Sequence, residues 1–262
     1  MSTLEERYLA SYPVLARLGR VDADGLPLPS PMMAEVAPDL RRIIGEACFG
    51  TLWVRPSLSI EQRSLATISV ITVLRRDENL RGHIESGLDV GLSAEQIVEV
   101  MLQLLFYTGA PIANTGLRIS YDVFKDRGIK VEPIEVYDTN EDPEELYRRG
   151  LEKRREVMGD STTVGPGGDD TDRDWYRYLI EYLWGSIWTR PGLDLQSRCI
   201  CVLAALTEVG TEQTIRNYVG AALHLGLTEN QVKELFFHLT FYTGFPRARR
   251  ASTLADEVFK SR

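Results

Sequence analysis

The chain has 262 residues, 44% of them hydrophobic and 26% charged, with a formal net charge of −8. That length holds one large domain or two small ones and buries a core without cross-links. The acidic balance argues against a nucleic-acid binder, which needs a basic face, and the longest nearly apolar run, residues 65–74, is too short to span a bilayer. Three cysteines, Cys48, Cys199 and Cys201, cannot build a disulfide framework, and the acidic start MSTLEERYLASYP lacks the basic region of a signal peptide, so a cytoplasmic protein is expected.

The chain is written twice. A shift of 135 residues lays GTLWVRPSL (Gly50 to Leu58) on GSIWTRPGL (Gly185 to Leu193) without a gap. It lays GLSAEQIVEV (Gly91 to Val100) on GLTENQVKEL (Gly226 to Leu235), LLFYTGAP (Leu104 to Pro111) on LTFYTGFP (Leu239 to Pro246), and VFKDR (Val123 to Arg127) on VFKSR (Val258 to Arg262). Residues 50–127 and their partners share 24 identities. Two copies are too few for a solenoid, so the pattern predicts a tandem pair of modules, 1–135 and 136–262.

Taken in chain order, each copy reads as helical. The first copy predicts helices over 35–54, 60–75, 78–90, 94–108 and 112–126, with equivalents in the second. Ser59 follows the Arg55–Pro56 pair and starts one helix; Asp194 caps its counterpart. In the helix after Ser93, Ile97, Val100, Met101, Leu104 and Leu105 share one face. Ser93 with Gln96 forms a capping box, repeated by Thr228 with Gln231. Gly109 and Pro111 punctuate the helix end, as Gly244 and Pro246 do in the second copy. No segment alternates with period two, so the fold class is all-α. Between the copies, residues 138–174 carry twelve acidic and six basic side chains. There a polar helix (Pro143 to Gly159) is expected, then a Gly/Pro/Asp loop (Ser161 to Asp174).

The repeated unit resembles the carboxymuconolactone decarboxylase family, a branch of the alkylhydroperoxidase D-like fold. The resemblance rests on W-x-R-P-x-L, the R-S-L or R-C-I helix start, L-R-x-[HY], G-L-[ST]-x-x-Q-[IV]-x-E and Y-T-G-x-P, spanning about 80 residues of each copy. The second copy also matches the family prelude, in YRRGLEKRREVMG (Tyr147 to Gly159) and EYLWGSIWTRPGL (Glu181 to Leu193). The resemblance implies two alkylhydroperoxidase D-like modules and a homo-oligomer, for a tandem chain a trimer with pseudo-sixfold symmetry. It also implies a cofactor-free decarboxylase acting on a small carboxylated lactone or ring compound of aromatic catabolism.

The departures from the family decide between its branches. The peroxidase branch carries C-x-x-C-x-x-x-H; here His83 matches the histidine, but Arg76 and Asn79 occupy the cysteine positions. In the second copy these are Thr211 and Thr214, with Tyr218 in place of the histidine. The decarboxylase branch lacks the dithiol and keeps the histidine. Loss of CO₂ leaves a carbanion that needs an acceptor, an oxyanion partner and a proton donor, and histidine and arginine supply the last two.

The expected catalytic residues are therefore His83 and Arg63, with Arg198, Trp53, Tyr107 and Tyr218 binding substrate. Arg63 and Arg198 read equally well as structural ion pairs, Trp53, Trp188, Tyr107 and Tyr242 as packing, and Arg81 and Arg216 as surface ion pairs. The family tends to place Glu before the arginine of the R-S-L helix; this chain has Gln62 there, which also completes a capping box with Ser59, and Ser197 in the second copy. Three histidines without ligand spacing predict no metal. One active site per chain is expected, at His83, completed by the second copy. The alternatives are an alkylhydroperoxidase-like antioxidant protein and a non-catalytic, oligomeric ligand-binding member.

Overall fold

The computed structural model describes residues 3–159, 165 and 167–262. The first copy contributes α1 (Leu4–Arg17), α2 (Pro31–Val36), α3 (Pro38–Ile43), α4 (Ile60–Leu74), α5 (Asp77–Asp89), α6 (Ala94–Thr108) and α7 (Ala110–Asp126). The second contributes α8 (Pro143–Met158), α9 (Asp170–Tyr178), α10 (Leu195–Val209), α11 (Glu212–His224), α12 (Glu229–Thr243) and α13 (Phe245–Lys260). The fold is all-α, and no strand occurs among the described residues.

The repeat is carried into three dimensions almost residue for residue. Adding 135 to the bounds of α4, α5 and α6 gives those of α10, α11 and α12. The expected caps form: Ser59, Ser93 and Thr228 each accept from the backbone N–H three residues on, and Gln62, Gln96 and Gln231 return the bond. Asp194 caps α10 through Ser197 N–H at 2.9 Å. Gly109 and Gly244, at φ 87° and 83°, turn each copy into its last helix, where Pro111 and Pro246 occupy the first turn.

Three expectations are corrected. The single helix over 35–54 is broken at Pro38, because proline clashes with a continuing α-helix. Beyond Ile43 it widens into a π-helical segment, Ile44–Trp53, matched by Leu179–Ile187 after α9. The wide turns bring glycines against neighbouring helices; a Cβ on Gly50 would lie 1.8 Å from the Arg7 carbonyl oxygen of α1. The loop expected over Ser161 to Asp174 gives way to α9 at Asp170, capped by Asp169 accepting from Asp172 N–H. The part of that loop at residues 161–164 and 166 lies outside the described residues. Finally, Leu4–Arg17, for which no helix is expected, is a helix with its own capping box, Thr3 with Glu6.

Packing is shared between the copies. The long helices α4 and α10 lie side by side at the centre, both almost wholly buried. Helix α12 of the second copy packs on α4 of the first, and α6 of the first packs on α10 of the second. One apolar cluster therefore holds residues of both copies, among them Ile68, Val70, Ile97, Leu203, Ala204 and Phe236. This crossed arrangement places side chains of each copy beside the other's motif residues. No described helix is long and apolar enough to cross a membrane.

Candidate active site

The crossing builds two related clusters. In the first, Arg63 on α4 is fully buried and donates to Glu234 Oε1 on α12 at 2.8 Å. Arg55 reaches the same carboxylate at 2.7 Å. Arg63 also donates to the Arg55 carbonyl oxygen at 2.9 Å and lies 3.3 Å from His238 Nδ1. A guanidinium only donates, so Nδ1 accepts, and the ring's Nε2–H points to Thr67 Oγ1 at 2.8 Å. Trp53 Nε1 donates to Tyr242 Oη at 2.9 Å.

The second cluster repeats this with the copies exchanged. Arg198 donates to Glu99 Oε2 at 2.8 Å and to Gln103 Oε1 at 2.9 Å, Arg190 joins Glu99 at 2.8 Å, and Trp188 Nε1 donates to Tyr107 Oη at 3.0 Å. Glu99 and Glu234, Gln103 and His238, and Tyr107 and Tyr242 are repeat partners.

These geometries redistribute the expected site residues. His83, Arg63, Arg198, Trp53, Tyr107 and Tyr218 do not form one constellation: His83, Trp53 and Arg63 belong to the first cluster, Arg198, Tyr107 and Tyr218 to the second. Arg63 and Arg198 line neither the cavity at His83 nor the one at Tyr218; each is fully buried and paired with a carboxylate from the other copy. Trp53 is held behind Tyr242 and does not line the cavity either. Arg81 pairs with Asp126 and Glu85, and Arg216 with Glu257 and Glu212, as surface ion pairs. Gln62 is engaged in its capping box, and Glu61 faces Arg17 at 3.5 Å.

His83 does line a cavity, of about 460 Å³. It sits on the inward face of α5, 9% exposed, with the Tyr242 ring edge-on at a centroid distance of 5.8 Å. Its ring forms no hydrogen bond with any described residue, so both nitrogens remain available to a ligand. Burial and the neighbouring positive charge of Arg20 push its pKa well below the usual value, so the free protein holds a neutral imidazole.

Arg20 is the residue that sequence reasoning missed. Helix α1 ends at Arg17, and Gly19, at φ 67°, turns the chain back over α5, where a Cβ would lie 2.1 Å from the Asp89 carboxylate. The turn delivers Arg20 to the cavity wall, where its Nε donates to Ser86 Oγ at 2.9 Å. Ser86 is three residues after His83 and shares its helix face. No described carboxylate lies within ion-pair distance of Arg20, although the group is largely buried and its pKa is lowered by that burial. Arg41 lines the same cavity; its Nη2 donates to the Pro27 carbonyl oxygen at 3.1 Å, and it too has no carboxylate partner among the described residues. Two such guanidiniums give the cavity groups that can hold an anion, beside Glu78, Glu85 and Asp89 on the same wall.

All three cysteines are free and buried. Burial pushes Cys48 and Cys201 up to about 12 and Cys199 higher still, so all three are thiols and none has the thiolate character that peroxide chemistry needs.

Comparison with known proteins agrees with the two-copy organisation of the chain. The model of the carboxymuconolactone decarboxylase family matches twice, over residues 38–121 and 173–257. A 4-carboxymuconolactone decarboxylase of Acinetobacter baylyi is 34% identical over 119 residues, which cover 45% of this chain and 89% of that protein. A nitrosuccinic acid decarboxylase of Metarhizium robertsii is 28% identical over 121 residues, 44% of this chain and 85% of its own length. An uncharacterised 15.0 kDa protein of Paracoccus denitrificans is 29% identical over 83 residues, 31% of this chain and 62% of its own.

Proposed function

The chain belongs to the carboxymuconolactone decarboxylase family, and on that premise we propose that it is a cofactor-free carboxy-lyase for a small carboxylated lactone or ring compound, with one active site per chain at His83. The observation that carries this reading is the placement of His83, without a hydrogen bond to any described residue, and Arg20, without a described carboxylate partner, on the wall of one 460 Å³ cavity. Two relatives named as decarboxylases of carboxylic acids support the reaction class.

The chemistry follows from the groups present. The bond between the leaving carboxylate and its carbon breaks, CO₂ departs, and the electron pair moves into a conjugated carbonyl or lactone acceptor. Arg20 suits the oxygen on which that charge grows, or a second carboxylate that stays on the product. An arginine gripping the leaving carboxylate would stabilise the ground state and slow its loss. Arg41 supplies a second anchor at the outer part of the cavity. His83 then protonates carbon. It is neutral in the free protein, and a bound anion offsets the Arg20 charge that depresses its pKa, so substrate binding brings the proton with it. The imidazole is reprotonated from water, which balances the cycle.

In this reading Arg63 is a positioning residue: with Glu234 and His238 it anchors α12, which carries Tyr242 to His83. The homo-oligomer belongs to the same proposal. Phe237, Phe241 and Phe245 are 45%, 38% and 66% exposed on α12 and at the start of α13, an apolar surface suited to a second chain.

The test is CO₂ release from 4-carboxymuconolactone and from related carboxylated lactones. A kcat/KM that falls at least tenfold in Arg20→Ala is expected, through kcat where Arg20 meets the developing charge and through KM where it holds a carboxylate that stays on the product. Turnover unaffected by Arg20→Ala would refute the assignment of the anion site.

A further inference from the structure

The second cluster has a cavity of its own, of about 870 Å³, nearly twice the volume at His83. It is the repeat-related counterpart of the first: Thr214, Tyr218 and Gly220 on its wall stand where Asn79, His83 and Glu85 stand in the other. Two differences change what it can hold.

The first is space and apolar surface. Gly220 replaces Glu85, and a Cβ built on it would meet no atom within 4 Å. Phe106, Tyr107, Trp184 and Tyr218 put four aromatic rings on this wall beside Leu179 and Leu183, where the first cavity has Tyr8 and Phe49.

The second is charge. Among the described residues that line the larger cavity there is no Asp or Glu, while Arg154, Arg216 and Arg262 all contribute. Arg216 is shared with Glu212 and Glu257, which do not line it. The first cavity, by contrast, mixes its arginines with Glu78, Glu85 and Asp89.

One polar group in the wall also lacks a partner. Trp184 is 3% exposed, and its Nε1 has no hydrogen-bond partner among the described residues. A buried N–H left unpaired is costly, and an acceptor on a ligand removes that cost. The inner end is closed by the Tyr218 and Tyr107 hydroxyls, hydrogen-bonded to each other, with Trp188 donating to Tyr107.

We propose that this cavity is a second ligand-binding site, which takes an aromatic carboxylate larger than the compound turned over at His83. The ring system stacks within the aromatic wall, an acceptor oxygen meets Trp184 Nε1, and the carboxylate faces the cationic side of the cavity. The site stands independently of the reaction assigned to His83, because none of the residues that define it belongs to the first cavity.

The test uses the intact chain and 2-naphthoate as probe, followed by isothermal titration calorimetry. The Cβ of Gly220→Leu starts in open space, and leucine suits a helix better than glycine; circular dichroism of the variant checks that the fold is kept. The expected result is saturable binding that weakens at least tenfold in Gly220→Leu and several-fold in Trp184→Phe, which keeps an aromatic ring, though a smaller one, and removes the donor. Arg20→Ala leaves it unchanged. Affinity equal to wild type in Gly220→Leu or in Trp184→Phe would overturn the proposal. So would loss of binding in Arg20→Ala, which would place the probe beside His83, or no binding at millimolar concentration.

Discussion

Tyr242, from the second copy of the repeat, lies edge-on to His83 of the first at a ring-centroid distance of 5.8 Å while accepting a hydrogen bond from Trp53 at 2.9 Å. The packing behind the histidine thus includes the second copy, while every described residue that lines its cavity comes from the first. Tyr107 repeats the arrangement toward Tyr218 and Trp188. Tyr242→Phe leaves the Trp53 N–H buried without an acceptor, and should cost about 1–3 kcal/mol. Tyr107→Phe should cost a similar amount, yet only Tyr242→Phe should alter the pH profile of turnover at His83. Urea denaturation of both variants beside their pH–rate profiles checks this.

The crossed carboxylates should carry stability rather than chemistry. Glu234→Ala strands the buried Arg63, and Glu99→Ala strands Arg198. Each should destabilise the chain by about 3–5 kcal/mol, because a buried charge loses its partner. The two losses should be alike, since the clusters are repeat-related. Chemical denaturation midpoints measure both.

Acid should unfold the protein through its buried histidines. Burial and nearby positive charge hold His83 and His238 well below the ordinary histidine value when folded. Below pH 6.5 the unfolded chain therefore binds protons that the folded chain does not. The stability present above pH 6.5 is lost as pH falls from there toward the folded-state values, at up to about 1.4 kcal/mol per unit for each group. His238→Gln should reduce that slope while keeping the fold, because Gln103 fills the equivalent position and accepts from Arg198 at 2.9 Å. Denaturation curves between pH 4.5 and 7.5 would show the difference.

Arg20 should bias the His83 proton. Burial lowers the imidazole pKa most and the Arg20 charge adds to it, so Arg20→Ala should move the His83 titration upward, while Arg41→Ala should weaken substrate binding without that shift. Proton NMR of the His83 ring in the two variants distinguishes these effects.

Much of the helical framework was legible in the sequence, because capping boxes, glycine turns and 3.6-residue periodicity are local signals, and here each was written twice. The pairing of Arg63 with Glu234 was not. It joins residues 171 positions apart, and neither residue's neighbourhood reveals that α12 crosses onto α4. His83 was found through its place in a family motif. Arg20 was hidden because it lies in an irregular turn outside the repeated segment, and only the left-handed Gly19 and the contact with Ser86 show where it goes. His238 lacked ligand spacing and so seemed uninformative, whereas its role is to accept from Arg63 and donate to Thr67.

The central claim is that a single histidine per chain performs the proton transfer. Its most direct test is CO₂ release by His83→Gln with a carboxylated lactone that the wild-type chain decarboxylates, measured at saturating substrate. Loss of a proton donor predicts a fall in kcat of about 10²–10⁴-fold with the fold intact. Undiminished kcat in His83→Gln would contradict the account.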